Sequence, residues 1–132
     1  MFKTLYIIPC IVVSLFEFFS GKGVFATKEF FPGDFLLEYA GELISAEEGE
    51  NREETLPSVF RFFFKCKDKG YCIDATTPKV NQVGRFVNHG EKQEINSSMK
   101  VLLNDGLPVL CLFAIKHIKA DMEILYDYGI FL

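Results

Sequence analysis

Asn104-Asp105-Gly106 followed by the nearly unbroken apolar run 107–115 constrains this chain more than any other stretch. An Asp-Gly pair is a hairpin signal, because the tight turn needs positive φ at both central residues. An apolar run of that length after a turn reads as a strand covered on both faces, so the fold is built around a sheet. Similar punctuation recurs upstream. Phe31-Pro32-Gly33-Asp34 is a turn by its Pro-Gly pair, and 35–39 reads as a buried strand. Residues 59–65 and 71–74 flank Asp68-Lys69-Gly70 and predict a second hairpin. Ser45-Ala46-Glu47-Glu48 is a capping box that starts a short polar helix, and Leu56-Pro57 ends it. Val80, Val83, Phe86 and Val87 recur at near-helical spacing and predict one more short, turn-rich helix running into Asn88. Strands joined by short turns with little helix make a β-rich α+β domain. At 132 residues the chain has the length of one domain with one core.

Fifteen phenylalanines and no tryptophan make that core aromatic and bulky. A net charge of −4 argues against a protein that grips phosphate by bulk charge, and no sequence-specific nucleic-acid binding is expected. An acidic surface suits a basic partner. Glu47, Glu48, Glu50, Glu53 and Glu54 read either as a solvated helix face or as a contact for a basic tail. Cys10, Cys66, Cys72 and Cys111 form no Cys-x-x-Cys pair, and His89 and His117 add no ligand cluster, so neither a structural zinc nor a disulfide framework is expected.

Residues 1–20 stand apart. Lys3 precedes an apolar run of signal-peptide length, with Val24-Phe25-Ala26 as a cleavage context. Glu17 inside the run argues against a bilayer span. Three readings stay open: a signal, a membrane anchor, or an atypical flank that packs on the domain.

The groups that carry chemistry are concentrated in two places. Arg85-Phe86-Val87-Asn88-His89-Gly90 offers amide, imidazole and backbone donors in a row. Tyr126-Asp127-Tyr128-Gly129 places two phenols on one side if the segment is extended, since strand side chains alternate. Gly21-Lys22-Gly23 exposes backbone amides and clears space for a bound molecule.

Together these stretches resemble the paired signature of the SET-domain lysine methyltransferases, Arg-Phe-Ile-Asn-His-Ser followed by Glu-Leu-x-Tyr-Asp-Tyr-Gly. Here the second motif begins at Glu123. Glu38-Tyr39-Ala40-Gly41 and Asp74-Ala75-Thr76 match further family motifs, and the resemblance runs from about Gly21 to Gly129. It is nearest to the subfamily that monomethylates one lysine in the histone-four tail. The implied fold is the SET-type β-clip, several small curled sheets with a threaded C-terminal segment. The implied activity is transfer of a methyl group from S-adenosylmethionine to a lysine of a histone tail or other basic peptide, by a nuclear, chromatin-regulating monomer. Residues 1–20, as a signal or anchor, imply the secretory pathway or a membrane instead.

The resemblance also distributes roles. Gly21, Lys22, Gly23, Asn88 and His89 would bind S-adenosylmethionine. Tyr128 matches the catalytic tyrosine that orients amine and methyl. Tyr126 matches the position where a phenol limits the product to low methylation, and Tyr39 the channel wall. Phe60 aligns with a channel tyrosine and lacks its hydroxyl. Gly90 stands where the family has Ser, and Ala120-Asp121 where a bend usually has Gly. Only Ile130, Phe131 and Leu132 follow Gly129, where family members continue with a segment that closes the pocket. That departure supports an alternative reading, a truncated SET-like binding module of weak or no activity.

Overall fold

The computed structural model describes residues 3–8, 11–18, 21–77 and 82–128. Its first sheet joins β1 (Lys3–Ile8), β2 (Ile11–Phe18) and β3 (Gly21–Ala26) in an antiparallel order, with Val13 opposite Ala26 and Phe18 opposite Gly21. The described part of the apolar stretch before residue 21 is therefore strand. Among the described residues no helix is long and apolar enough to cross a membrane.

The second sheet has the order β4-β10-β9, from β4 (Phe35–Glu38), β9 (Ser97–Asn104) and β10 (Leu107–Ala114). Between β9 and β10, Asp105 and Gly106 adopt φ of 53° and 79°, as the two-residue hairpin turn demands. β10 is central, flanked by β4 and β9, and its Leu110, Cys111, Leu112 and Ala114 are buried. With Leu36, Leu37, Phe30, Ile118 and Ile124 they form the core. Each buried Leu, Ile or Phe side chain among them contributes about 1.5–3 kcal/mol by leaving water.

The third sheet, β5-β7-β6, comprises β5 (Glu42–Ser45), β6 (Arg61–Cys66) and β7 (Lys69–Asp74). The β6–β7 hairpin is present, but its turn sits one residue earlier than expected. Lys67 and Asp68 are the central residues, with φ of 52° and 64°, while Lys69 and Gly70 already pair in β7. Aspartate tolerates the left-handed region, and the cross-strand pairing up to Cys66 opposite Lys69 decides the register.

Helix α1 (Ala46–Thr55) packs on this sheet. Ser45 caps it, its hydroxyl accepting from the Glu48 N–H at 3.0 Å, and the chain leaves helical geometry at Leu56. The acidic run is divided. Glu48 bonds Arg52 and Glu53 bonds Arg61, while Glu47, Glu50 and Glu54 face solvent. Both arginines also reach Asp74 Oδ2 at 3.0 Å, which ties helix to sheet. Burial opposes the Asp74 charge, yet hydrogen bonds from Thr76, Arg61 and Arg52 hold its carboxyl well below the usual carboxylate range.

The fourth sheet is a short parallel pair, β8 (Asn88–His89) with β11 (Leu125–Tyr126). The expected helix into Asn88 is only a 3-10 turn at Gly84–Phe86, followed by extended backbone at Val87; Val80 lies outside the described residues. A β-carbon on Gly84 would collide with the Glu38 carbonyl and sit 2.9 Å from Tyr39 Cα. That close approach sets the motif against the end of β4.

The C-terminal segment is held within the loop that joins β8 to β9. On one side it pairs with β8. On the other, the buried Asn96 amide donates to the Glu123 carbonyl at 2.8 Å and accepts from the Leu125 N–H at 3.0 Å, while Ser97 Oγ donates to the Leu125 carbonyl at 2.8 Å. Several small sheets around one core, with an enclosed C-terminal segment, are the β-clip arrangement expected. The bend at Ala120-Asp121 puts Asp121 at φ 71°, so aspartate adopts the conformation that glycine ordinarily supplies there.

Candidate active site

Tyr39 leaves the end of β4 with its N–H on the Leu110 carbonyl at 2.8 Å and its ring 4 % exposed. β11 delivers Tyr126, 3 % exposed, from the opposite side. Phe62 of β6 lies between them, its ring 5.4 Å from Tyr39 and 6.4 Å from Tyr126. Tyr128 completes the group, its ring 4.7 Å from Tyr126. These four line a cavity of about 200 Å³ with Val59, Arg61, Phe63 and Arg85. The Tyr128 hydroxyl donates to the Val87 carbonyl at 2.6 Å, and its backbone N–H donates to His89 Nδ1 at 3.1 Å.

A second, wider pocket of about 540 Å³ adjoins it, lined by Lys22, Phe60, Phe86, Asn88, Val59, Arg85 and Tyr128. Val59, Arg85 and Tyr128 belong to both. Tyr128 thus stands where a smaller aromatic cavity meets a wider pocket of the size that small ligands occupy. The Arg85 guanidinium lies over the rings of Phe60 and Phe86 at 4.5 and 4.4 Å and donates to the Ala75 and Thr76 carbonyls, which fixes the shared wall. The Asn88 amide nitrogen donates to the Lys22 carbonyl and to Glu123 Oε2, both at 2.9 Å.

Burial pushes the phenols of Tyr39 and Tyr126 far above their ordinary range, with neighbouring phenols adding to the effect, and burial raises Tyr128 as well. All three are neutral hydrogen-bonding groups at physiological pH.

The residues singled out in the sequence divide as follows. Tyr39, Tyr126 and Tyr128 share the cavity; Lys22 and Asn88 share the wider pocket. Gly23 and His89 line neither. A β-carbon at Gly23 would lie 2.7 Å from the Glu123 carboxylate, so the missing side chain gives that carboxylate its place beside Asn88. His89 Nδ1 accepts from the Tyr128 backbone N–H. Phe60 stands on the wall of the wider pocket instead of beside the tyrosines, and Phe62 takes that place. Two residues along an extended chain displace a side chain by roughly 7 Å on the same face. Gly129 lies outside the described residues. Phe62, Arg85, Phe86 and Glu123 carry contacts at the site that sequence reading did not assign; for Arg85 and Glu123 the signal was their place inside the two motifs.

The SET domain family matches residues 21–129. The chain belongs to the SET domain family. It is 35% identical over 114 residues to the N-lysine methyltransferase KMT5A of Xenopus tropicalis and 37% identical to the histone-lysine N-methyltransferase Set8 of Drosophila melanogaster, 83% of the chain being covered in each case. It spans 33% of the first and 16% of the second. Among solved structures, the SET8 protein of Cryptosporidium superposes with a TM-score of 0.77 at 34% identity, covering 87% of this chain and 56% of that chain. A Polycomb Repressive Complex 2 structure from Chaetomium thermophilum, bound to S-adenosylmethionine, matches with a TM-score of 0.72 at 30% identity over 91% of this chain and 15% of that one. The strand-rich architecture of small sheets matches the SET fold of these structures.

Proposed function

We propose that this SET domain is a protein-lysine methyltransferase that uses S-adenosylmethionine and acts in the nucleus on a histone tail or a comparable basic peptide, with monomethylation favoured. The observation that carries the reading is the pair of adjoining spaces that meet at Tyr128. In-line methyl transfer needs a channel for the amine on one side and a pocket for the donor on the other. The relatives named as lysine methyltransferases support the same chemistry.

The wider pocket fits the methyl donor. Its volume lies in the range of small-molecule sites, and its walls combine the rings of Phe60, Phe86 and Tyr128 with the polar ends of Lys22, Arg85 and Asn88. Lys22, Asn88 and the faces of Phe60 and Phe86 would hold the donor. When bound, S-adenosylmethionine supplies an electrophilic methyl group on a sulfonium.

The narrow cavity acts on the lysine. Its walls withhold water from the amine, and desolvation disfavours the ammonium, lowering a pKa that is ordinarily about 10.4. The Tyr39 and Tyr126 phenols, both neutral, offer the amine hydrogen bonds from either side. Tyr128 orients amine and methyl at the junction, held in place through Val87 and His89. Tyr126 occupies space that a second methyl group would need.

Calorimetric titration with S-adenosylmethionine tests the reading, together with mass spectrometry of a histone-four tail peptide. Saturable binding and a product heavier by one methyl group are expected. No heat at millimolar donor would leave a binding module as the better account.

A further inference from the structure

Glu123 lies outside the groups whose chemistry the proposed reaction uses, yet its carboxylate holds Asn88, which lines the donor pocket. Its Oε2 accepts from the Asn88 amide nitrogen at 2.9 Å, and the same nitrogen donates to the Lys22 carbonyl at 2.9 Å. A side-chain amide nitrogen carries two hydrogens, so these two acceptors use both. They also decide which end of the amide is nitrogen, an assignment that only the surrounding acceptors can make. The carbonyl end of Asn88 is then the end left for a ligand, and it accepts.

The carboxylate has room for this only because residue 23 has no side chain. A β-carbon there would stand 2.7 Å from Glu123 Oε2, 3.2 Å from the Phe25 ring and 3.4 Å from Asn88 Nδ2. The Glu123 backbone is pinned in turn: residue 123 bridges Phe25, and its carbonyl accepts from the buried Asn96 at 2.8 Å. Three separated stretches of sequence therefore converge on one amide.

We propose that Glu123 is a positioning residue of the donor pocket: its carboxylate, admitted by Gly23, locks the Asn88 amide so that the pocket presents an acceptor to a cationic N–H donor such as an α-ammonium group. The inference rests on the methyl-donor reading above. It makes the selectivity of Asn88 depend on a residue that need not touch the ligand. Glu123→Gln keeps an oxygen that can accept from Asn88, whereas Glu123→Ala removes it. Gly23→Ala reaches the same point from the other side, because the clash falls on the far end of a flexible side chain and the fold can give way there.

The experiment is calorimetric titration of S-adenosylmethionine into the wild-type chain, E123A, E123Q, G23A and the G23A/E123A double variant, with thermal melting of each as a check on folding. E123A is expected to raise Kd about tenfold, the scale of one lost hydrogen bond to a charged group, and E123Q to stay within about threefold of wild type. G23A should also weaken binding, and the double variant should be no weaker than E123A, since both changes remove one contact. Should E123A fail to fold, E123Q and G23A carry the comparison. Unchanged affinity in E123A and G23A overturns the proposal. So does E123Q binding as weakly as E123A, which would mean that the charge acts on the ligand directly, and so do fully additive losses in the double variant. A wild-type chain that does not bind overturns the methyl-donor reading and this inference together, a result distinct from wild-type binding with indifferent variants.

Discussion

The rings of Tyr126 and Tyr128 lie 4.7 Å apart, yet they occupy different depths: Tyr126 is 3 % exposed and Tyr128 42 %. β11 ends at Tyr126, and by Tyr128 the backbone has left strand geometry for a 3-10 turn. Pairing with β8 then pulls the first inward and leaves the second at the junction of the two pockets.

This difference in depth separates their roles. Tyr126→Phe removes a hydroxyl from the wall of the narrow cavity without opening a void in the core. The dimethyl fraction of the product should rise, read by mass spectrometry on a histone-four tail peptide. An unchanged product distribution would remove Tyr126 from control of methylation degree.

Tyr128→Phe has another consequence. It deletes the hydrogen bond to the Val87 carbonyl and frees the ring at the point where amine and methyl must align. Turnover should fall about a hundredfold, the scale associated with small misplacements of reacting groups. S-adenosylmethionine affinity should hold near the wild-type value. Equal losses in turnover and affinity would assign Tyr128 to donor binding alone.

The pH dependence follows from the raised phenols. Burial keeps Tyr39, Tyr126 and Tyr128 protonated beyond their ordinary range, so none ionises between pH 7 and about 9. The rate at saturating donor should climb through that window as the lysine amine loses its proton, and Tyr126→Phe should leave the slope unchanged. A fall in rate between pH 8 and about 9 in the folded protein would contradict neutral phenols.

Asp74 makes the chain sensitive to acid. Its folded-state pKa is depressed below the ordinary 3.8, so its stabilising contribution is present above that value and is lost as pH falls through the folded-state pKa. Asp74→Asn should lower the melting temperature at neutral pH and flatten its decline below about pH 4. Parallel declines in both proteins would show that other carboxylates govern acid unfolding.

Asn96→Ala tests the enclosure of the C-terminal segment. The amide is 1 % exposed and serves the Glu123 carbonyl and the Leu125 N–H, so truncation leaves both unpartnered. A loss of about 1–3 kcal/mol is expected in urea unfolding. Amide exchange at residues 123–126 should accelerate more than in β10, and uniform acceleration would argue for global destabilisation instead.

What could be read along the chain was local. The Asp105-Gly106 turn, the Ser45 cap, the end of α1 at Leu56 and the central apolar strand all follow from preferences that act over a few residues, and each formed where those preferences put it. The family motifs carried the fold beyond that reach, including the enclosed C-terminal segment. Tertiary contact decided the rest. Phe62 rather than Phe60 faces the tyrosines because β6 pairs with β7 in one register. Gly23 serves the Glu123 carboxylate because Phe25 of β3 bridges residue 123, and His89 serves the Tyr128 backbone because β8 pairs with β11. Turn and cap energies depend on a residue and its neighbours in sequence. Which side chains share a cavity depends on how separately formed strands pack, and that is settled only when the core closes.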